Sequence, residues 1–200
     1  MAENRLVVFL RAPRLGAVKT RLAAEIGAEA ALAVYRFLVA RTFDVLSGVA
    51  NVELRFTPDD AEAEVASWRG ETWRLIPQGD GSLGQRLERA TAAAFASGLK
   101  RVVLIGTDCP ELTLRDLEAA FEALVTNDLV IGPASDGGYW LIGLRQPCSA
   151  IFTDISWGSS EVLKETLTKA RDAGLKYTCL RELGDVDTAS DWQRYQTSGQ

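Results

Sequence analysis

Arg5-Leu-Val-Val-Phe-Leu10, running on through Arg11-Ala-Pro-Arg-Leu-Gly-Ala-Val-Lys-Thr-Arg-Leu22, decides how the rest of the chain is read. Leu6 to Leu10 is a short apolar, β-branched run, the pattern of a buried strand. Between Arg5 and Ala24 stand five basic residues and no acid, in a 200-residue chain whose formal net charge is -5. A cationic loop between a strand and a helix is a place to hold phosphate, because backbone N–H groups and the positive helix end add to the side-chain charge. The segment points to a nucleotide or a phosphorylated sugar. The acidic balance of the whole chain argues against general nucleic-acid binding.

The length suits one substantial core, and no Pro/Gly/Ser-rich linker breaks the chain, so residues 1–200 are expected to form a single domain. Cys109, Cys148 and Cys179 are odd in number and lack C-x-x-C spacing, which suggests neither a disulfide framework nor a zinc knuckle. Reduced thiols and the lack of a signal-like or membrane-length apolar run lead to an expectation of a soluble, unprocessed, cytoplasmic protein without membrane contact. Histidine is absent. Ser-His-Asp and Cys-His catalysis, His-ligated zinc and a histidine base are excluded together. Chemistry is left to carboxylates, lysine, arginine and backbone, with or without a metal ion.

Short apolar runs alternate with segments of helical period, the pattern of a sheet with crossover helices. Strands are predicted at 6–10, 52–57, 72–77, 101–107, 129–132, 139–144 and 176–183. Leu83, Leu87, Ala90 and Ala94 form one helical stripe, and Leu117, Ala120, Phe121 and Leu124 another. Asp59-Asp60 and Ser159-Ser160 read as helix starts, and Gly98 and Gly174 as stops. The strands at 129–132 and 139–144 are separated only by a Gly-rich turn, which predicts an antiparallel pair.

Asp108 follows one strand, Asp136 another, and Asp185 and Asp187 follow the last. In open α/β sheets ligands lie beyond the carboxyl ends of the strands, where residues distant in sequence meet. Carboxylates beside the Lys19 loop suit Mg²⁺ or Mn²⁺ bridging a nucleotide phosphate to the protein, since Mg²⁺ takes one or two carboxylates plus phosphate and water. Each group has a plainer alternative. Asp108 reads as ligand or as cap for the helix after Pro110; Asp187 as ligand, or with Thr188 as cap of the last helix. Gly137 and Gly138 read as a tight turn or as a close approach to a sugar. Trp140, Trp157 and Trp192 read as packing or as a stacking surface. Cys109 reads as a small apolar filler.

Gly79-Asp-Gly-Ser-Leu-Gly84 matches the letters G-x-G-x-x-G, which keeps an NAD(P)-binding oxidoreductase as a remote alternative. Gly16-Ala-Val-Lys19-Thr20 lacks the spacing of a P-loop.

Read in order, Arg11 to Leu22, Leu83-Gly-Gln-Arg-Leu87, Leu104-Ile-Gly-Thr-Asp-Cys-Pro110, Gly132 to Gly143 with its Asp136-Gly-Gly-Tyr139, Ile155-Ser-Trp-Gly158 and Asp185-Val-Asp-Thr188 resemble the bacterial family DUF2064, often labelled glycosyltransferase-like. The matching segments span nearly the whole chain. That family is similar to the nucleotide-diphospho-sugar transferases, and the Lys-Thr-Arg-Leu and Asp-Val-Asp-Thr elements also resemble the 2-phospholactate guanylyltransferases. The resemblance implies an α/β, GT-A-like three-layer sandwich with a mostly parallel mixed sheet. It implies a metal-dependent transferase that moves a nucleotidyl or glycosyl group from a nucleoside triphosphate or nucleotide sugar to a small-molecule acceptor. By that likeness Arg11, Ala12, Gly16, Lys19, Arg21, Gly84 and Arg86 would bind the nucleotide. Lys19, Asp108 and Asp187 would be catalytic, the two aspartates holding Mg²⁺ or Mn²⁺. Asp136, Gly137, Gly138, Tyr139 and Trp157 would meet the acceptor or sugar. Leu15-Gly16 replaces the family's common Pro-Gly, and the metal aspartate stands in Thr-Asp-Cys-Pro instead of Asp-x-Asp. A regulatory module that binds a nucleotide without turnover is the alternative of a different class.

Overall fold

The computed structural model describes residues 3–68, 70 and 72–198. A seven-stranded sheet runs in the order β3-β2-β1-β4-β6-β5-β7. Its strands are β1 (Asn4–Arg11), β2 (Val52–Thr57), β3 (Arg74–Pro77), β4 (Arg101–Ile105), β5 (Leu129–Pro133), β6 (Tyr139–Leu144) and β7 (Tyr177–Cys179). All neighbouring pairs are parallel except the two made by β6, which is antiparallel to both β4 and β5. The predicted antiparallel turn between 132 and 139 is therefore present. Because β6 alone is reversed, its start lies at the same sheet edge as the ends of the other strands.

Helices cover both faces. One buried cluster joins Leu6, Val8, Leu54, Phe56 and Val103 to Leu117 and Ala120 of α5 (Leu114–Ala123) and Val65 of α3 (Glu62–Ala66). On the opposite face Val7, Val102, Leu104 and Ile142 meet Leu87, Ala90 and Ala94 of α4 (Leu83–Ala96) and Ala170 of α6 (Val162–Asp172). A third cluster holds α1 (Thr20–Ile26) and α2 (Ala28–Leu46) against Val186, with Trp192 of α7 (Ala189–Ser198) at its margin. The alternation of side chains along a strand sends odd and even positions of β1 and β4 to opposite layers, which makes the sandwich.

The two predicted helix starts differ from expectation, whereas the two predicted stops are where the glycines stand. Asp59 and Asp60 do not cap α3: Asp59 Oδ1 accepts Gly79 N–H at 3.1 Å, and Asp60 pairs with Arg14 at 3.0 Å. α6 begins after Glu161, with Ser159 Oγ accepting its N–H at 3.2 Å. Gly98 and Gly174 follow α4 and α6 with φ of 85° and 69°, the left-handed step that ends a helix. β7 is shorter than the predicted 176–183, because after Cys179 the regular ladder ends and the chain keeps only scattered links, Leu180 N–H to Ile131 O at 2.8 Å, Leu183 N–H to Pro133 O at 3.1 Å and an Ala134–Leu183 bridge. Among the described residues no helix is long and apolar enough to cross a membrane.

One buried polar cluster stands out in the sheet. Glu53 accepts from Arg5 at 3.1 Å and Arg55 at 2.6 Å, and all three residues are buried. Each carboxylate oxygen serves one guanidinium, so deleting the carboxylate leaves two buried cations without their partner. Glu53→Ala is expected to lower unfolding free energy by about 3–5 kcal/mol in urea titration; a loss under about 1 kcal/mol would show that water replaces the carboxylate there.

Candidate active site at the carboxyl edge of the sheet

A cavity of about 780 Å³ opens where the strand ends meet, lined by Arg11, Lys19, Arg21, Arg86, Asp108, Asp136, Gly138, Tyr139, Trp157, Asp185 and Asp187 among others. Residues far apart in the chain come together because β1, β4 and β7 end, and β6 starts, at this edge.

The centre of the site is a cation between two carboxylates. Lys19 Nζ lies 2.6 Å from Asp108 Oδ1 and 2.8 Å from Asp187 Oδ1. The two aspartate loops are also joined through the main chain, Val186 N–H donating to the Asp108 carbonyl at 3.0 Å. The alternatives for these aspartates resolve accordingly. Asp108 caps nothing, since α5 is started by Thr113, whose N–H donates to Asp116 at 2.8 Å. α7 is capped by Thr188 and Asp191: Thr188 N–H donates to Asp191 Oδ2 at 2.8 Å, and Asp191 N–H donates to Thr188 Oγ1 at 3.3 Å. Asp187 is left with its carboxylate in the cavity.

Lys19 sits in the left-handed region at φ 48°, ψ 50°, immediately before α1. Burial acts to lower its pKa, but attraction to Asp108 and Asp187 and the hydrogen bonds to them outweigh this and raise it above the ordinary lysine value. Asp185 stands nearby and is pushed up to about 6, by burial first and by the charges of Asp136 and Asp187 second. Four carboxylates, Asp108, Asp136, Asp185 and Asp187, thus line the cavity together with Lys19. Two carboxylate oxygens already converge on one cation position, a donor set that fits Mg²⁺ or Mn²⁺ completed by phosphate and water. Among the described residues no group of three or more acids and cysteines forms a closed metal cage. The donors offered are a pair.

The basic loop divides in use. Arg11, Lys19 and Arg21 line the cavity. Arg5 is committed to Glu53, and Arg14 is forked onto Glu64 and Asp60. The helix after the loop has only seven residues, so its dipole adds little, and phosphate attraction falls to the arginine side chains. Arg86 faces the cavity from α4, with its guanidinium donating to Gly81 O at 3.0 Å and Gln78 Oε1 at 3.3 Å.

Ala12, Gly16, Gly84 and Gly137 lie outside the cavity lining. Ala12 is buried and ties β1 to β2 through Thr57 O. Gly16, at φ 74°, is an exposed turn. Gly84 has the Phe152 carbonyl and the Trp157 ring where a Cβ would go, so it packs α4 beneath the site wall. Gly137, at φ 88°, makes the turn and docks on the backbone of Ser160. Gly138 alone of the pair borders the cavity, its N–H donating to Asp136 Oδ1 at 2.8 Å. The turn reading holds for Gly137.

A bulge between β5 and β6 aims the aromatic wall. Gly132 faces Leu141 but Pro133 faces Tyr139, so Trp140 is the extra residue. Trp140 joins Leu141 in one core layer, and Tyr139 turns to the other, edge-on to Trp157 at 6.2 Å. Trp192 stacks on Tyr195 and Cys109 is buried, its thiol pushed up by burial. Both are packing residues.

Two contributors escaped the sequence reading. Tyr35 accepts the Arg11 N–H and donates to the Arg11 carbonyl at 2.8 and 2.7 Å, fixing the strand end. Gln78 donates to Leu10 O and Arg55 O, both at 3.0 Å, and orients Arg86. Asp185 was visible as an acid but its burial was not. A dinucleotide fingerprint does not suit Gly79 to Gly84: the preceding strand is the edge strand β3, and Asp108 follows β4, which pairs with β1.

Comparisons with known proteins give the chain's family and fold. The family model described as "Uncharacterized protein conserved in bacteria (DUF2064)" matches residues 44–159. A protein from Desulfovibrio desulfuricans G20, provisionally named a nucleotide-diphospho-sugar transferase, is 33% identical, with a TM-score of 0.94 over 100% of this chain and 89% of that one. A CMP:2-keto-3-deoxy-manno-octonic acid synthetase complexed with CTP is 13% identical, with a TM-score of 0.59 over 98% of each chain. Rv0371c from Mycobacterium tuberculosis H37Rv, in complex with manganese, is 16% identical, with a TM-score of 0.58 over 98% of each chain. The last two share the fold alone. No curated protein matches the chain. The GT-A-like α/β class expected from the sequence is thereby borne out.

With Asp185 protonated in the fold to about pH 6 and ordinarily ionised from 3.8, the contribution of this one group to stability declines as pH rises through that window. In chelator-containing buffer Asp185→Asn is expected to be about 1 kcal/mol more stable than wild type at pH 7, after discounting for partial solvation, with no difference near pH 3. Equal differences at both pH values would place Asp185 in an ordinary solvated setting.

Proposed function

The chain belongs to the DUF2064 family, and from that premise and the edge site we propose that it is a metal-dependent transferase acting on a nucleoside triphosphate or nucleotide sugar. The observation that carries the reading is the convergence of Asp108 and Asp187 on one cation position inside a cavity bordered by Arg11, Arg21 and Arg86. Asp108 and Asp187 would hold Mg²⁺ or Mn²⁺, which when bound neutralises phosphate charge and favours in-line displacement.

Nucleotidyl transfer is the favoured version, because the arginine-bordered loop suits the larger charge of a triphosphate. An acceptor phosphate oxygen then forms a bond to the α-phosphorus while the bond from that phosphorus to the bridging oxygen of pyrophosphate breaks. Arg11 and Arg86 orient the phosphates, and Arg21 and Lys19 stabilise the charge gathering on pyrophosphate. No protein nucleophile is needed, in keeping with a buried Cys109 of raised pKa and a chain without histidine. The Tyr139–Trp157 wall beside Asp136 is where the acceptor or sugar would lie, and it is the feature that favours glycosyl transfer as a second reading. Three unpaired cysteines accord with a cytoplasmic setting.

Titration calorimetry with nucleoside triphosphates and nucleotide sugars, with and without Mg²⁺ or Mn²⁺, followed by product detection with small phosphorylated acceptors, tests the proposal. Metal-dependent triphosphate binding with pyrophosphate release is expected; preference for a nucleotide sugar would move the assignment to glycosyl transfer. Metal-independent binding, or none, would contradict it. Asp108→Asn is expected to cut turnover on the order of 10²–10³-fold with the unfolding midpoint unchanged, since its side chain is 47% exposed.

A further inference from the structure

Lys19 differs from the other cations of the cavity in being buried beneath its partners. Its side chain is 5% exposed, whereas those of Asp108 and Asp187 are 47% and 39% exposed. The ammonium is therefore on the protein side of the pair, and the carboxylates face the cavity above it. Arg21 is a poor substitute: it reaches Asp187 only at 4.0 Å and is 71% exposed. A single positive charge thus serves two carboxylates, with Asp136 and Asp185 adding negative charge close by. The two aspartate loops are also joined by the Val186–Asp108 main-chain hydrogen bond, so they stay neighbours when Lys19 moves. Lys19 itself occupies a left-handed backbone conformation that costs a β-carbon-bearing residue energy, at a position without any side-chain cap.

We propose that Lys19 is an internal counter-ion that competes with a divalent cation for Asp108 and Asp187, so that metal binding frees the Lys19 ammonium toward the phosphates of the nucleotide. This rests on the metal-dependent reading above and specifies its order of events. An ammonium and a divalent ion cannot share the same carboxylate oxygens at contact distance without mutual repulsion. The displaced ammonium requires a new anion, and a polyphosphate in the cavity supplies one. Metal and nucleotide therefore each favour binding of the other through one side chain, a coupling that is reciprocal by linkage. In the absence of both, Lys19 stays paired with both carboxylates from beneath.

Binding of Mn²⁺ alone, followed by the electron paramagnetic resonance signal of the free ion, reads this competition without turnover. Lys19→Met is expected to bind Mn²⁺ roughly 10-fold or more tightly than wild type, and Lys19→Arg, which retains a cation, to stay near wild type. On the wild-type protein, acetylation by an amine-directed reagent, mapped by mass spectrometry, is expected to rise several-fold at Lys19 on adding Mn²⁺. Lys164, 77% exposed, serves as the constant reference. Equal or weaker Mn²⁺ binding by Lys19→Met, or unchanged Lys19 acetylation at saturating Mn²⁺, would overturn the competition. If either occurs while nucleotide binding to wild type still depends on the metal, only the role of Lys19 falls; if nucleotide binding ignores the metal, the metal-dependent reading falls with it.

Discussion

Two carboxylates held within contact of one point repel each other unless a cation lies between them, and the architecture of this protein brings Asp108 and Asp187 to that condition. The aspartates are contributed by chain following β4 and following β7, strands at separate positions in the sheet. Parallel order puts both strand ends at one edge, and the Val186–Asp108 hydrogen bond closes the remaining gap. Lys19 satisfies the pair from below. Much else at this edge can be understood as support for that three-residue centre: the cap formed by Thr188 and Asp191 releases Asp187, and the box of Thr113 and Asp116 releases Asp108.

The rim is stiffened by polar clamps on the main chain. Tyr35 grips both backbone groups of Arg11, and Gln78 bridges the ends of β1 and β2 while presenting its carbonyl oxygen to Arg86. Arg89 holds the glycine loop through the carbonyls of Gln78 and Asp80 at 2.6 and 2.7 Å. Tyr35 and Gln78, both buried, convert loops into walls, since a buried polar side chain that satisfies backbone atoms resists movement by the cost of leaving them unpaired. The bulge at Trp140 adds orientation: one extra residue turns Tyr139 onto the cavity face beside Trp157.

Strand positions were legible because their signal is local. Val52–Thr57 and Tyr139–Leu144 coincide with the predicted runs, and the reversed strand followed from a turn too short for a helix. β7 was overextended because the apolar run continues through Leu180 and Leu183, which pack in the core and keep single main-chain bonds to β5 after the regular ladder has ended. Asp59 and Asp60 carried a capping signal that tertiary partners captured, Gly79 N–H and Arg14. The aspartates of the site were readable from strand ends, but the destination of each base was not. Arg14 and Lys19 look alike in a cationic loop, yet one is drawn to surface acids and the other is buried under Asp108 and Asp187. Glycines misled in the same way: Gly84 and Gly137 are required by close packing against Trp157 and Ser160, contacts that only the folded chain creates.

Anomalous diffraction from crystals grown with Mn²⁺ and a non-hydrolysable nucleoside triphosphate tests the central claim most directly. The account expects one manganese peak bridging Asp108 and Asp187, phosphates between it and the arginines, and Lys19 drawn away from the carboxylates. Manganese bound elsewhere, or a nucleotide seated in the cavity with Lys19 still between the two aspartates, would contradict it.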